Sequence, residues 1–162
     1  MSFRIMGLDA APFRRFYGLS DEELQSFGVK RLIADSKPGF PDRIELRDVE
    51  QGEALLLLNY LHQPADTPYK ASHAIFVREW AETSYRVQDE TPEVLWIRPI
   101  SLRAFDASGD MVDADLTGGG DLKARSSACS PIRRPPTSTH TTPSAAAMRP
   151  GSIGPEAASA VA

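Results

Sequence analysis

The densest group of side chains able to do chemistry is His62-Gln-Pro-Ala-Asp66-Thr-Pro-Tyr69-Lys-Ala-Ser-His73. Two imidazoles, a carboxylate and a phenol at this spacing make a candidate site built on His62, Asp66, Tyr69 and His73. The imidazoles would serve as acid, base or ligand, because imidazole changes charge closest to neutral pH. The same residues also have a purely structural reading, in which His62 and Asp66 cap loop backbone while Tyr69 and His73 pack. Both readings stand on the sequence alone. Weaker signals lie elsewhere. Asp106, Asp110, Asp113 and Asp115 suggest a cation site at first sight, but turn formation and a solvated strand face account for them more simply. Gly118-Gly-Gly120 has no phosphate-binding spacing and reads as a flexible linker. Phe13-Arg-Arg-Phe16 reads as a helix face rather than a nucleic-acid patch.

Metal and thiol chemistry have little to work with. Cys129 is the one cysteine, which excludes an intrachain disulfide and a pair of sulfur ligands. The residues before Ala124 hold two histidines and no cysteine, so no metal is expected; no cofactor is indicated. A formal charge of −4 leaves no electrostatic footprint for nucleic acid. No segment approaches the roughly 20 apolar residues of a membrane span, and the start lacks the apolar run of a secretory signal. The expected setting is cytoplasmic, with neither nucleic acid nor membrane as partner.

The candidate loop must be held by flanking elements, and the patterning supplies them. Ala54 to Leu61 is continuously apolar and predicts a central strand covered on both faces. His73 to Glu79 predicts the strand that follows the loop. Phe3–Met6, Val29–Asp35 and Arg43–Leu46 predict further short strands. Ser20-Asp-Glu-Glu23 has capping-box spacing, so a helix should run from about Asp21 to Phe27 and stop at Gly28. PEVLWIR predicts a short helix with Pro92 in its first turn. SLRAFD and MVDADL flank Ala107-Ser-Gly-Asp110 and predict a hairpin. Asp121 to Ala124 begins another helix. The fold class is α+β: a single small domain over residues 1–124, mostly antiparallel sheet with short helices.

Beyond Ala124 the composition changes. All thirteen aromatic residues lie before it, and six of the thirteen prolines fall after it, in a stretch with no Leu. Lys and Arg number 14 against 21 Asp and Glu before the break, and 4 against 1 after it. Such a segment buries too little apolar surface to offset its ordering entropy, so residues 125–162 are expected to be a disordered C-terminal tail.

The stretches GLSDEELQSFGVKRLIADSKPGFPDRIEL, LLLLNYLHQPADTPYKASHAIFVRE and ISLRAFDASGDMVDADL together resemble the uncharacterised bacterial domain-of-unknown-function family 1203, over about residues 3–124. The resemblance implies no activity. It implies an ending with a helix and then a segment of the type AYIHxHN followed by RGCY, which this chain lacks as translated. Loss of one base in the codon after Ala124 would account for that. In the shifted frame Thr137 to Thr142 supply the bases for YIHTHN, and Ser144 to Met148 those for RGCY. On this reading residues 125–162 are an out-of-frame tail, in which neither Cys129 nor His140 has a role, and the chain is impaired. Within the family a Cys is frequent where this chain has Asp42, so a thiol pair is not implied here.

Two functions from different classes follow. One is a ligand- or partner-binding, regulatory domain that uses the His62–His73 loop. The other is a small enzyme or metal-dependent catalyst at the same loop. The absence of a recognised nucleophile, phosphate loop or metal spacing favours the binding domain.

Overall fold

The computed structural model describes residues 3–122 and, as backbone, 159–161. Cys129, His140 and most of the stretch expected to be disordered lie outside the described residues. Among the described residues eight strands and two short α-helices follow in the order β1 (Arg4–Met6), α1 (Asp21–Ser26), β2 (Lys30–Ile33), β3 (Ala54–Gln63), β4 (Ala71–Arg78), β5 (Arg86–Gln88), α2 (Glu93–Trp96), β6 (Pro99–Phe105), β7 (Met111–Gly118) and β8 (Ser159–Val161). These strands pair with one another antiparallel, in three small sheets, β1-β5, β2-β3-β4 and β7-β6-β8, and Phe76 of β4 also makes an isolated parallel bridge to Asp42.

β3 explains why its sequence is apolar without interruption. Leu56 and Leu58 face one core, with Ile75 and Val77 of β4 opposite them in register. Phe13, Phe16 and Leu24 close that core from the N-terminal segment and α1. Leu55 faces the other way, into a second cluster with Ala34 and Val49. Leu55 and Leu56 are both fully buried, and each contributes about 1.5–3 kcal/mol on leaving water. The strand is therefore covered on both faces over its first half. Further along, Leu61 is 47 % exposed. A third cluster forms beneath β6, where Ile100 and Leu102 meet Val94, Leu95, Leu46 and Leu122.

Several local expectations hold. Ser20 caps α1 by accepting from the Glu23 N–H, and the Glu23 carboxylate accepts from the Ser20 N–H at 2.7 Å, the reciprocal capping box. Pro92 stands at the N-cap of α2, and the β6–β7 hairpin forms. Arg86–Gln88, for which the sequence pattern predicts no strand, pairs with β1.

Two expectations are corrected. Arg43–Leu46 is a turn and not a strand. Its cause is Asp42, fully buried, whose carboxylate accepts the Glu45 N–H at 2.5 Å and the Arg78 N–H at 2.8 Å. A side chain that satisfies the turn's own backbone donors competes with a strand ladder. The Gly118–Gly120 stretch is not a loose linker: a Cβ on Gly119 would stand 1.9 Å from the Leu95 carbonyl oxygen, so the glycine is what lets this backbone pack on α2.

Candidate functional site

β3 carries a register irregularity between Leu61 and Gln63, so His62 stands opposite no partner of β4. A bulge of this kind bends the strand and re-aims a side chain. The loop that follows is organised by Gln63 and Thr67. The Gln63 Oε1 accepts the Ala65 N–H at 3.2 Å, and the Thr67 hydroxyl accepts the Tyr69 N–H at 3.2 Å. The same two side chains reach the β6–β7 turn: Gln63 Nε2 donates to the Gly109 carbonyl at 3.3 Å, and Thr67 Oγ1 donates to it at 3.2 Å. Gly109 has φ +86° and a Cβ there would lie 2.2 Å from the Ala65 Cβ, so the turn presses directly on the loop.

This docking walls a cleft of about 270 Å³ between the loop and the hairpin. Its polar lining is His62, Tyr69, Lys70 and Arg103. Its apolar lining includes Pro68, Phe105 and Met111. Among the described residues none of the four polar side chains is held in a hydrogen bond or ion pair. Burial holds the His62 imidazole below its ordinary value, and the positive charges of Arg103 and His73 act in the same direction. The neutral ring is thus the form favoured at neutral pH.

Of the four residues the sequence singled out, His62 and Tyr69 share the cleft. His73 lies outside its lining, exposed, and opposite Tyr60 in the β3–β4 register. Asp66 is exposed at the loop surface and does not line the cleft. The expectation that His62 and Asp66 cap the loop is replaced by Gln63 and Thr67 in that role. Arg103, Phe105 and Met111 come from a ribbon some forty residues later, and no local pattern marks them. Lys70 was within the loop but carried no motif.

A second cleft of about 270 Å³ lies between the Lys37–Asp48 region and α2. Three of its four charged lining residues are already engaged. Lys37 pairs with Glu50, Arg47 with Glu45 and Glu53, and Asp48 takes a two-pronged contact from Arg98 at 2.6 and 3.0 Å. Glu45 also takes two bonds from Arg78, at 2.6 and 3.0 Å, which hold its carboxyl below the ordinary range. These pairs brace the turn against β4 and α2. Across the described residues no group of three His, Cys, Asp or Glu side chains is placed to hold a metal ion, and no helix is long and apolar enough to cross a membrane.

The family described as Protein of unknown function (DUF1203) matches residues 39–131, more than half of the 162 in the chain. The chain belongs to this family. No curated protein and no solved structure matches it. The DUF1203 span contains the whole cleft, from His62 to Met111, together with the Asp42 turn. It begins after α1 and β2, and it runs past the composition change at Ala124 to Pro131.

Proposed function

We propose that this chain is a cytoplasmic ligand-binding, regulatory domain whose ligand sits in the cleft between the 64–70 loop and the β6–β7 hairpin. One observation carries the reading: the docked hairpin gathers His62, Tyr69, Lys70 and Arg103 around a small concave space and leaves their polar ends without partners among the described residues. Convergent polar groups over an apolar floor are what small-molecule sites require. The test is to titrate the full chain with a fragment mixture of neutral, cationic and anionic members while recording the His62 and Tyr69 ring signals by NMR. Fragments that move these signals in the native chain, and bind less tightly to Tyr69→Ala, support the reading. If no fragment moves them, the cleft is not a binding site.

A catalytic reading has one observation in its favour. A neutral His62 facing a cleft is available as a base. Among the described residues it has no carboxylate bonded to its other ring nitrogen and no nucleophile facing it, which favours the binding domain.

For residues 125–162 we infer a reading frame displaced by one base after Ala124, leaving the chain impaired. The support is the composition break and the closeness of the shifted codons to YIHTHN and RGCY. The gene sequence across the Arg125 codon tests it. A verified unshifted gene, with an intact mass that retains the tail, overturns it.

A further inference from the structure

Lys70 and Arg103 enter the cleft from different parts of the chain. Lys70 closes the loop before β4, and Arg103 stands mid-strand in β6. Neither has a carboxylate partner among the described residues, although the chain has an acidic excess. The sheet register shows how the acids are kept away from Arg103. Arg103 pairs with Ala114, whereas Asp113 and Asp115 pair with Ala104 and Leu102. Partners in register share a face and neighbours alternate, so both aspartates belong to the opposite face of the ribbon. Among the described residues no Asp or Glu lines the cleft. Two cations and a phenol therefore share a space that no anion among the described residues fills.

Resting on the cleft reading above, we propose that the ligand is a small organic anion, a carboxylate or a phosphate monoester. Its charged end is met by Arg103 and Lys70, and its apolar end lies on Phe105, Met111 and Pro68. Arg103 supplies a planar fork suited to two oxygens of one anionic group, and Lys70 a mobile point charge. Tyr69 adds a hydroxyl donor. The volume of about 270 Å³ falls just under the usual range of ligand pockets, which fits a single-ring or short-chain acid and excludes a dinucleotide.

The experiment uses the full chain and four probes: benzoate, phenyl phosphate, inorganic phosphate and benzyl alcohol. Binding is read from the His62 and Tyr69 ring signals and by calorimetry at low ionic strength, on the native chain and on Arg103→Gln and Lys70→Gln. Both substituted residues are exposed and have no hydrogen bond or ion pair from their side chains among the described residues, and far-ultraviolet circular dichroism verifies that the variants fold. Benzoate or phenyl phosphate should bind more tightly than benzyl alcohol. Each charge removal should weaken the anion by roughly tenfold, the value of one charge-assisted bond, and leave benzyl alcohol unchanged. Inorganic phosphate binding as tightly as phenyl phosphate would overturn the apolar half of the assignment. Benzyl alcohol binding as tightly as the anions, or anion affinity indifferent to both variants, would overturn the anion class while leaving the cleft reading intact. If none of the probes or fragments moves a cleft signal, both fail together.

Discussion

Replacing Gly109 with Ala strikes the contact that makes the cleft. At φ +86° an L residue sits in left-handed backbone, which costs about 1–2 kcal/mol. The new Cβ would also meet the Ala65 Cβ at 2.2 Å. Relieving that overlap moves the hairpin tip by on the order of 1 Å, because ordinary carbon contacts lie at roughly 3.5–4.0 Å. The two bonds that the Gly109 carbonyl accepts are already 3.3 and 3.2 Å long. A further ångström breaks both, at about 1 kcal/mol each, with more for Gln63 because it is buried.

Gly52 separates the two effects. It has φ +89° and nothing within 4 Å of an added Cβ, so Gly52→Ala carries the backbone cost alone. Any gain from a stiffer unfolded chain is common to both variants. Urea denaturation should show Gly109→Ala less stable than Gly52→Ala by about 2 kcal/mol, the value of two lost bonds. Adding Ala65→Gly removes the opposing methyl and should recover most of that difference, measured against Ala65→Gly alone. Equal costs at Gly109 and Gly52, or no recovery from Ala65→Gly, would refute the docking argument.

Three further outcomes follow from the same structure. Asp42→Asn places one amide NH2 where two backbone N–H groups need acceptors, so one of them loses its partner; denaturation should show a loss of about 1–3 kcal/mol, despite the near-identical shape. Glu45 has its carboxyl held low by Arg78, so it stabilises the fold above the ordinary Glu value near 4.5, and that contribution is lost as pH falls through the lowered value; Glu45→Gln should flatten the acid side of a stability-against-pH curve. His62 acts in the same direction but over a higher pH range: its depressed value means the unfolded chain takes the proton more readily, so stability falls as pH drops through the ordinary His value of about 6.5. Arg103→Gln should raise the NMR titration midpoint of His62 only partway, since burial is the larger cause; an unchanged midpoint would show that Arg103 exerts no field there.

What was legible in the sequence was what neighbours in the chain decide. The capping box at Ser20–Glu23, the unbroken apolar run of β3 and the turn between SLRAFD and MVDADL each carry their own local signal, and each is where the pattern puts it. Arg43–Leu46 misled because alternation there says nothing of Asp42, whose burial depends on β4 covering it. The candidate site divides the same way. His62 and Tyr69 stand out by type and spacing within one loop. Arg103, Phe105 and Met111 join them only through a contact across some forty residues, and an Arg in a strand is by itself an ordinary exposed residue.

That division has a consequence for how binding and stability are linked in this DUF1203 chain. If one wall of the cleft is local and the other is delivered by docking, a ligand touching both walls favours the docked arrangement. It then stabilises the fold according to its concentration over its dissociation constant. The stabilisation belongs to the joined walls and not to the loop, because Lys70 and Arg103 approach the anion from different sides of the docked contact. Gly109→Ala leaves every cleft side chain chemically unchanged and should still abolish most of the ligand-induced rise in melting temperature, whereas Gly52→Ala should retain it. Were both variants to show the full rise, the ligand would be held by one wall alone, and the hairpin would be a support for the sheet rather than half of a site.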